Sequence, residues 1–135
     1  MSALYIVMRN DLPSLNPGKL AAQAAHVANV AVKRGPRDIV RRWEQQTTQW
    51  FGTTIVLGGS LAFIKKHMQA TIVWDPTYPC EIPYEVGAHL VRNGARRSVR
   101  VDHRRKVAVY LRREIVGAWH FGERLPVFDG LELYK

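Results

Sequence analysis

The feature that most constrains the fold is an apolar run followed closely by a strong helix start. Ala3–Met8 (ALYIVM) is rich in residues that favour strands, and it predicts a buried β-strand. Asn16 followed by Pro17 predicts a helix, because asparagine caps a helix N-terminus and proline fits the first helical position. That helix is expected to extend to about Lys33, just before a Gly-Pro pair. A buried strand followed by a helix favours an α/β fold.

The rest of the chain continues this alternation. We predict a helix at about Arg37–Gln46, a strand at Thr53–Leu57, a short helix from Ser60 to about His67, strands at Thr71–Trp74 and Lys106–Leu111, and a short helix or strand at Pro126–Tyr134. Three prolines within Asp75–Pro83 predict a loop there. Strands that alternate with helices predict an α/β layered fold with a mostly parallel sheet.

Length and composition limit the class of protein. A chain of 135 residues predicts a single domain over residues 1–135, and no repeat or linker divides it. Its 47% hydrophobic and 23% charged residues are typical of globular proteins. No apolar run approaches the roughly 20 residues of a membrane span, and the start does not resemble a signal peptide. The single cysteine, Cys80, excludes an internal disulfide and is typical of a reducing compartment, so we expect a cytoplasmic protein. Because no membrane span is predicted, we also expect no membrane partner.

The positive charge is concentrated in one segment, Arg92–Arg113, which we call the basic window. It carries +8 of the net charge of +9, because nine basic residues stand against one acid. A solvated surface is the ordinary explanation of such a run, but arginine suits bidentate phosphate contacts, so the local excess favours a nucleic-acid partner. Tyr110 is the only Phe, Tyr or Trp in the window, so we expect phosphate contacts and little base stacking.

The first helix carries the main candidate constellation. Lys19, Gln23 and His26 are spaced at i, i+4 and i+7, which places them on one stripe. Lys19 lies in the first turn, where the helix dipole disfavours a cation. An anionic ligand would explain this position, because the backbone N–H groups of that turn would converge on it with the ammonium. A solvated lysine is an equally good explanation, and for His26 alone a histidine packed on the helix face is the better one.

Several familiar sites are excluded by their spacing. Gly18-Lys19 is not a P-loop, because the first glycine and the hydroxyl residue after the lysine are missing. The Gly-Gly-Ser at 58–60 lacks the pattern of a nucleophile elbow, and the chain has no GxGxxG motif. The five histidines and the cysteine show no metal-ligand spacing, so no metal is expected. Cys80 is a candidate thiol nucleophile, although a lone cysteine is more often structural.

Two consecutive motifs resemble the opening of the type II peptidyl-tRNA hydrolases. The first strand ends in RNDL at 9–12, like the family's R-x-D-L, and the helix carries GKLAAQAAH at 18–26, like its G-K-[IV]-A-A-Q-x-[AS]-H. Trp43-Glu44 resembles the family's W-E pair, and Thr53–Leu57 fits its second strand. DPTYPCEI at 75–82 resembles the D-A-G-x-T-[QE]-[IV] loop, and VFDGLELY at 127–134 resembles the family's ending. The resemblance leaves out a basic insertion at about 84–105.

The resemblance implies a three-layer α/β/α sandwich with a small, roughly four-stranded mixed sheet, commonly as a homodimer. It implies hydrolysis of the ester between peptide and tRNA in peptidyl-tRNA, with no metal or cofactor. By position, Lys19 is the principal catalytic lysine, Asp75 is the loop aspartate, Cys80 takes the place of the family's threonine, and His26 has a weaker role. The residues expected to bind the substrate are Asn16, Gly18, Gln23, Arg92, Arg96, Arg97, Arg100, Arg104, Arg105 and Lys106.

Two departures from the family pattern leave alternatives open. Cys80 stands at the threonine position, and the loop after Asp75 is one residue longer, so Thr77 is a second candidate for the hydroxyl. One alternative function is an RNA- or tRNA-binding protein on the same scaffold whose catalytic site has eroded. Another is an unrelated small hydrolase that uses Cys80 as its nucleophile.

Overall fold

The central element of the fold is a strand that is buried along its whole length. In the computed structural model, which describes residues 2–134, this strand is β1 (Ala3–Arg9). The other strands are β2 (Thr54–Gly59), β3 (Ile72–Ile82), β4 (Val99–Asp102), β5 (Val107–Gly122) and β6 (Glu132–Leu133). The helices are α1 (Pro17–Arg34), α2 (Arg37–Glu44), α3 (Leu61–His67) and α4 (Tyr84–Arg92), and 3-10 turns cover Gln69–Thr71 and Pro126–Gly130.

The strands form one mixed sheet in the order β3-β5-β1-β2-β6, and β4 also pairs with β5. β1 and β2 are parallel, whereas β1 with β5, β2 with β6 and β4 with β5 are antiparallel. The predicted α/β class and mixed sheet are therefore confirmed. The expectations of roughly four strands and of mostly parallel pairing are wrong. β4 and β6 have only four and two residues, which is too short to give an alternating pattern in the sequence.

The contacts divide the chain into two compact units. Unit 1 comprises the chain up to Leu12, Asn16–Val73 and the chain from Ile115 onward, and unit 2 comprises Pro13–Leu15 and Trp74–Glu114. The basic insertion expected at about 84–105 lies within unit 2, where it forms α4 and β4. The single domain expected over residues 1–135 stays a prediction.

Unit 1 contains the main hydrophobic core. Its buried cluster consists of Ala3, Tyr5, Val7, Leu57, Ile64, Met68, Ala118 and Phe128, which come from β1, β2, α3, β5 and the turns beside them. α1 packs closely on β5 at Gly117. A Cβ atom there would lie 2.7 Å from the Val7 carbonyl oxygen and 3.3 Å from the Val27 side chain, so the site excludes any larger residue.

The helices of unit 1 begin and end near the positions that the sequence predicts. α1 ends at Arg34, one residue beyond the predicted Lys33, and α2 ends at Glu44. The Ser60 hydroxyl caps α3 by accepting a hydrogen bond from the Phe63 N–H at 3.1 Å. These starts and stops depend on side chains close in sequence, which explains why they are predictable.

Unit 2 contains the part of β3 that follows Val73, the helix α4 and the hairpin of β4 with the first part of β5. β4 and β5 pair antiparallel, with Val101 opposite Ala108, and α4 packs on the face that carries this pair. The closest approach is at Gly87, where an added Cβ atom would collide with the Ala108 side chain. The other side of the hairpin carries Arg100 and Val109, because side chains alternate along a strand.

The loop predicted for Asp75–Pro83 is wrong, because β3 continues through this segment to Ile82. β3 stands at one end of the strand order, so within residues 2–134 one of its edges has no neighbouring strand. Proline is tolerated on such an edge, since its missing N–H removes no hydrogen bond between strands. The proline rule assumed a position inside the sheet, which the sequence does not reveal.

Two other segments differ in extent from the prediction. The strand expected at Lys106–Leu111 is present as the first part of β5, which begins at Val107 and continues to Gly122. The segment Pro126–Tyr134 contains both predicted alternatives, because a 3-10 turn is followed by β6.

Candidate functional site

The start of α1 has the geometry that the sequence predicts. The Asn16 side chain caps the helix by accepting a hydrogen bond from the Lys19 N–H at 2.9 Å, and Pro17 takes the first helical position. Gly18 is exposed, and a Cβ atom there would meet only the Asn16 side chain, at 3.5 Å. The first turn of α1 contains no acidic residue, and Lys19 is its charged residue.

The three stripe residues differ in exposure along the helix. Lys19 is half-buried, Gln23 is buried and His26 is exposed. Buried Val27 and Ala31 mark the side of α1 that faces the core. Lys19 therefore stands at the border between core and solvent, where a long side chain can bury its stem and present its ammonium.

An ion pair fixes the chain between β1 and α1. The buried Arg9 side chain donates to the Asp11 carboxylate at 2.9 Å and to the Ile115 carbonyl at 3.1 Å. Asp11 also accepts a hydrogen bond from the Leu61 N–H at 3.2 Å, and the Tyr134 hydroxyl donates to the Arg9 carbonyl at 3.2 Å. The residues of the R-x-D motif thus connect β1, β5 and α3 within unit 1.

This network changes two pKa values in opposite directions. Partial burial alone would raise the pKa of Asp11, but the hydrogen bonds from Arg9 and Leu61 and the charge of Arg9 lower it below 3.8. Burial, and then the neighbouring Asp11 carboxylate, raise the pKa of Tyr134 above 10.0. Asp11 is therefore ionised and Tyr134 is neutral near pH 7, as their contacts require.

A cleft of about 600 Å³ opens in unit 1 where β1 and β2 end. Its walls include Asn10, Gly58, Phe63, Glu132 and Tyr134. None of the site residues predicted from the sequence is among the described residues that line it.

In unit 2, Asp75 and Thr77 form a local pair on β3. The Asp75 carboxylate accepts a hydrogen bond from the Thr77 N–H at 2.9 Å, and the Thr77 hydroxyl lies 3.4 Å from the same oxygen. Cys80 is buried, at 8% exposure. Of the two candidates for the family's hydroxyl, Thr77 is the one beside Asp75.

The segment Pro13–Leu15, which directly precedes the Asn16 cap, is held by β3 within unit 2. The buried Tyr78 donates its hydroxyl hydrogen bond to the Pro13 carbonyl at 2.8 Å, and the Ser14 hydroxyl accepts from the Glu81 N–H at 3.0 Å. Tyr78 and Glu81, which lie on either side of Cys80, therefore make structural contacts with this segment.

All nine basic residues of the basic window are exposed on unit 2. Arg92 ends α4, Arg96 and Arg97 lie in the turns before β4, Arg100 is on β4, Arg104, Arg105 and Lys106 form the hairpin turn, and Arg112 and Arg113 are on β5. The turn is preorganised, since the Asp102 carboxylate accepts the Arg104 and Arg105 N–H groups at 3.0 Å each. The exposure of all nine side chains within one unit favours a polyanionic partner.

The comparisons with known proteins identify the family. A model described as peptidyl-tRNA hydrolase PTH2 matches residues 2–70, which is just over half of the chain. The chain belongs to the peptidyl-tRNA hydrolase PTH2 family. No curated protein and no solved structure matches it.

The match to the peptidyl-tRNA hydrolase PTH2 family falls on unit 1 and the Pro13–Leu15 segment. It includes Asn16, Gly18, Lys19, Gln23 and His26, and it ends before Asp75, Cys80 and the basic window. The roles of all these residues stay predictions. Among residues 2–134, no three or more His, Cys, Asp or Glu side chains are grouped to hold a metal, and no described helix could cross a membrane.

Sequence reasoning missed two features of this peptidyl-tRNA hydrolase family member. The ties from Arg9 and Asp11 to β5 and α3 are long-range, although the R-x-D spacing at the end of a strand was a usable signal. The second feature is a contact of Arg113 with the exposed Trp74, whose ring centre lies 3.6 Å from the guanidinium carbon. No sequence signal connects residues so far apart along the chain.

Proposed function

We propose that the protein hydrolyses the ester bond between peptide and tRNA in peptidyl-tRNA, and so recycles tRNA. The observation that carries this proposal is the start of α1, where the GKLAAQAAH motif of the matched family segment presents Lys19 on a capped first turn. The proposed partners are peptidyl-tRNA and tRNA. The proposed catalytic groups are all side chains of this protein.

The proposed reaction is attack by water on the ester carbonyl carbon. A bond forms between the water oxygen and that carbon, the bond from the carbon to the ribose oxygen breaks, and a proton passes to the ribose oxygen. The products are a peptide carboxylate and tRNA with a free hydroxyl, and the second proton of the water is released to solvent. Lys19 stabilises the negative charge that develops on the carbonyl or ribose oxygen, and the N–H groups of the first turn add to this field.

Asp75 is proposed to orient the water or the Lys19 ammonium, and Thr77 to supply the hydroxyl of the family pattern. The contact between Thr77 and the Asp75 carboxylate supports Thr77 over Cys80. The pairing of Lys19 with Asp75 is carried by the family pattern alone, and a double-mutant measurement tests it.

The basic window is proposed to hold the phosphates of tRNA, with Asn16, Gly18 and Gln23 lining the site at α1. All of the window's basic side chains are exposed, which supports a direct contact with a polyanion. We also propose a cytoplasmic homodimer with the three-layer arrangement of the family. Ala118 packs in the cluster with Ile64 of α3 while the preceding residue, Gly117, lies against Val27 of α1, which supports helices on both faces.

The decisive experiment measures release of peptide from a labelled model peptidyl-tRNA. Lys19→Ala is expected to reduce the rate by about 100- to 1000-fold, as removal of one charge-stabilising group does elsewhere. Lys33→Ala is the matched control, because Lys33 is an exposed lysine in the last turn of the same helix. Near-normal turnover in Lys19→Ala would refute the assignment, and tRNA binding without turnover in the wild type would favour the binding-protein alternative.

A second set of variants separates Thr77 from Cys80. Thr77→Ala is expected to reduce turnover and Thr77→Ser to retain it, whereas Cys80→Ser is expected to be tolerated and Cys80→Thr to keep or raise the rate. Loss of turnover in both Cys80 variants, with a trapped peptidyl-thioester on the wild type, would establish the cysteine nucleophile instead.

A further inference from the structure

An exposed tryptophan stands next to the basic window in space, although it lies outside the window in sequence. Trp74 is 44% exposed at the start of the unit 2 part of β3. The guanidinium carbon of Arg113 lies 3.6 Å from the centre of its indole ring, which is a stacked cation–π arrangement. The Trp74 ring stays half-exposed although the Arg113 guanidinium covers one of its faces. Its other face can therefore stack on a planar partner.

The side of the β4–β5 hairpin that α4 does not cover extends this surface. By strand alternation it carries Arg100, Asp102, Val107 and Arg113, and Val107 is 52% exposed. The Asp102 carboxylate on this face already accepts hydrogen bonds from the Arg104 and Arg105 N–H groups of the turn. A sheet face that combines an exposed aromatic ring, an exposed aliphatic side chain and arginines has the composition of a surface that binds unpaired nucleotides.

Phosphate contacts alone do not require this arrangement. Arginines that only neutralise phosphates need no ring beside them, because that term depends on charge and is independent of base sequence. Stacking on an aromatic ring, in contrast, needs a base whose face is free, and bases in a duplex have no free face. The Trp74–Arg113 stack therefore selects single-stranded over double-stranded nucleic acid.

We propose that Trp74, stacked on Arg113, binds an unpaired base of a single-stranded RNA whose phosphates contact the basic window. For peptidyl-tRNA, the unpaired 3′ end that carries the peptide is such a strand, and this identification of the RNA rests on the proposed function. The proposal replaces the expectation of little base stacking, which considered Tyr110 alone.

The test measures binding of a labelled single-stranded oligoribonucleotide, and of the same strand annealed to its complement, over a range of salt concentrations. Trp74→Leu is expected to weaken single-strand binding by about 5- to 150-fold for each stacked base. The salt slope and the affinity for the duplex are expected to stay unchanged, because stacking releases no counterions. Trp74→Phe, which keeps a ring, is expected to retain most of the affinity.

Trp50→Leu is the matched control, because Trp50 is 68% exposed but lies in unit 1. A second measurement does not depend on the Leu variant. The strand is expected to quench tryptophan fluorescence in the wild type and in Trp50→Phe but not in Trp74→Phe. Equal single-strand affinity of Trp74→Leu and the wild type, equal losses for strand and duplex, or quenching that persists in Trp74→Phe would each overturn the proposal.

tRNA with and without its unpaired 3′ nucleotides separates this inference from the proposed function. If trimming the 3′ end removes the difference between wild type and Trp74→Leu, the stacked base belongs to that end. A difference that survives trimming overturns the assignment to the 3′ end. A wild type without hydrolase activity that still binds single strands through Trp74 would remove the proposed function and leave the stacking. Normal hydrolysis by the wild type, together with unchanged single-strand binding by Trp74→Leu, would overturn the stacking proposal and leave the proposed function.

Discussion

The two units differ in how they use their side chains. Unit 1 holds nearly all of the buried apolar side chains among residues 2–134, whereas unit 2 contributes Tyr78, Cys80, Val99 and Ala108. Unit 2 instead exposes the basic window, together with Trp74 and Val107. Stability is therefore concentrated in one part of the chain and charged contact surface in the other.

The family match follows the same division. The matched residues 2–70 lie in unit 1 apart from Pro13–Leu15, and the basic window lies beyond them. The part with the larger core carries the matched family segment, and the exposed charged surface lies outside it. Four predictions test this contrast, beginning with the largest effect.

Loss of a core ring in unit 1 is expected to have the largest effect. Phe128 is fully buried, and its ring centre lies 5.5 Å from that of Tyr5. Phe128→Ala should lower the free energy of unfolding by about 3–5 kcal/mol, because it leaves a cavity. Urea denaturation measures this change. Phe51→Ala is the control, since Phe51 is 51% exposed in the same unit, and it should change stability by less than about 0.5 kcal/mol. Equal losses of stability in Phe128→Ala and Phe51→Ala would contradict the distinction between a core ring and a surface ring.

A smaller effect is expected when unit 2 is overpacked. Gly87→Ala places a methyl group against Ala108, and such overpacking costs about 1–3 kcal/mol, more than the gain in helix propensity. Amide hydrogen exchange should accelerate in β4 and α4 and stay unchanged in β1, because local openings are confined to the destabilised part. Ala108→Gly in the same chain should restore slow exchange. Acceleration throughout β1 would mean that the units open together.

Removal of charge from unit 2 is expected to change binding and leave folding unchanged. Arg96→Ala with Arg97→Ala should weaken binding of tRNAs of any sequence and reduce the salt slope of log K by about 0.7–0.9 for each phosphate that the variant no longer neutralises. Arg41→Ala with Arg42→Ala is the matched control, because it removes an exposed arginine pair from α2 in unit 1. An unchanged salt slope in the variant with Arg96→Ala and Arg97→Ala would mean that the basic window is only a solvated surface.

The smallest effect concerns the ion pair at the end of β1. Because the folded protein lowers the pKa of Asp11 below 3.8, its contribution to stability is complete above that pH and is lost as the pH falls through the lowered value. The stability difference between wild type and Asp11→Asn should therefore be constant near pH 7 and shrink in stronger acid. Denaturation curves at a series of pH values measure this difference, and a gap that widens in acid would contradict the assignment.

The elements that could be predicted from the sequence are those specified by neighbouring residues. The Asn16 cap, the Pro17 start and the apolar β1 run are local signals, and each appears where expected. The start of β3 was predicted as the strand at Thr71–Trp74, but its continuation to Ile82 could not be predicted, because tolerance of its prolines depends on a position at the sheet edge that the whole fold decides. β4 is too short to show a period of its own.

The candidate site divides in the same way. The stripe from Lys19 to His26 follows from helix geometry, so its placement on α1 was predictable although the burial of Gln23 was not. The contact of Thr77 with Asp75 and that of Arg113 with Trp74 depend on strand geometry and pairing, which appear only once β3 is known to be a strand.

The contact of Pro13–Leu15 with β3 limits how this protein can be rearranged. Unit 2 is discontinuous, because Tyr78 and Glu81 complete their hydrogen bonds on residues more than sixty positions earlier. A contiguous graft of residues 74–114 into another protein would leave the Tyr78 hydroxyl without its acceptor. The segment that carries the basic window can therefore keep these hydrogen bonds in another protein only if Pro13 and Ser14 are transferred with it, which makes exchange by simple recombination a poor route to new variants of this surface.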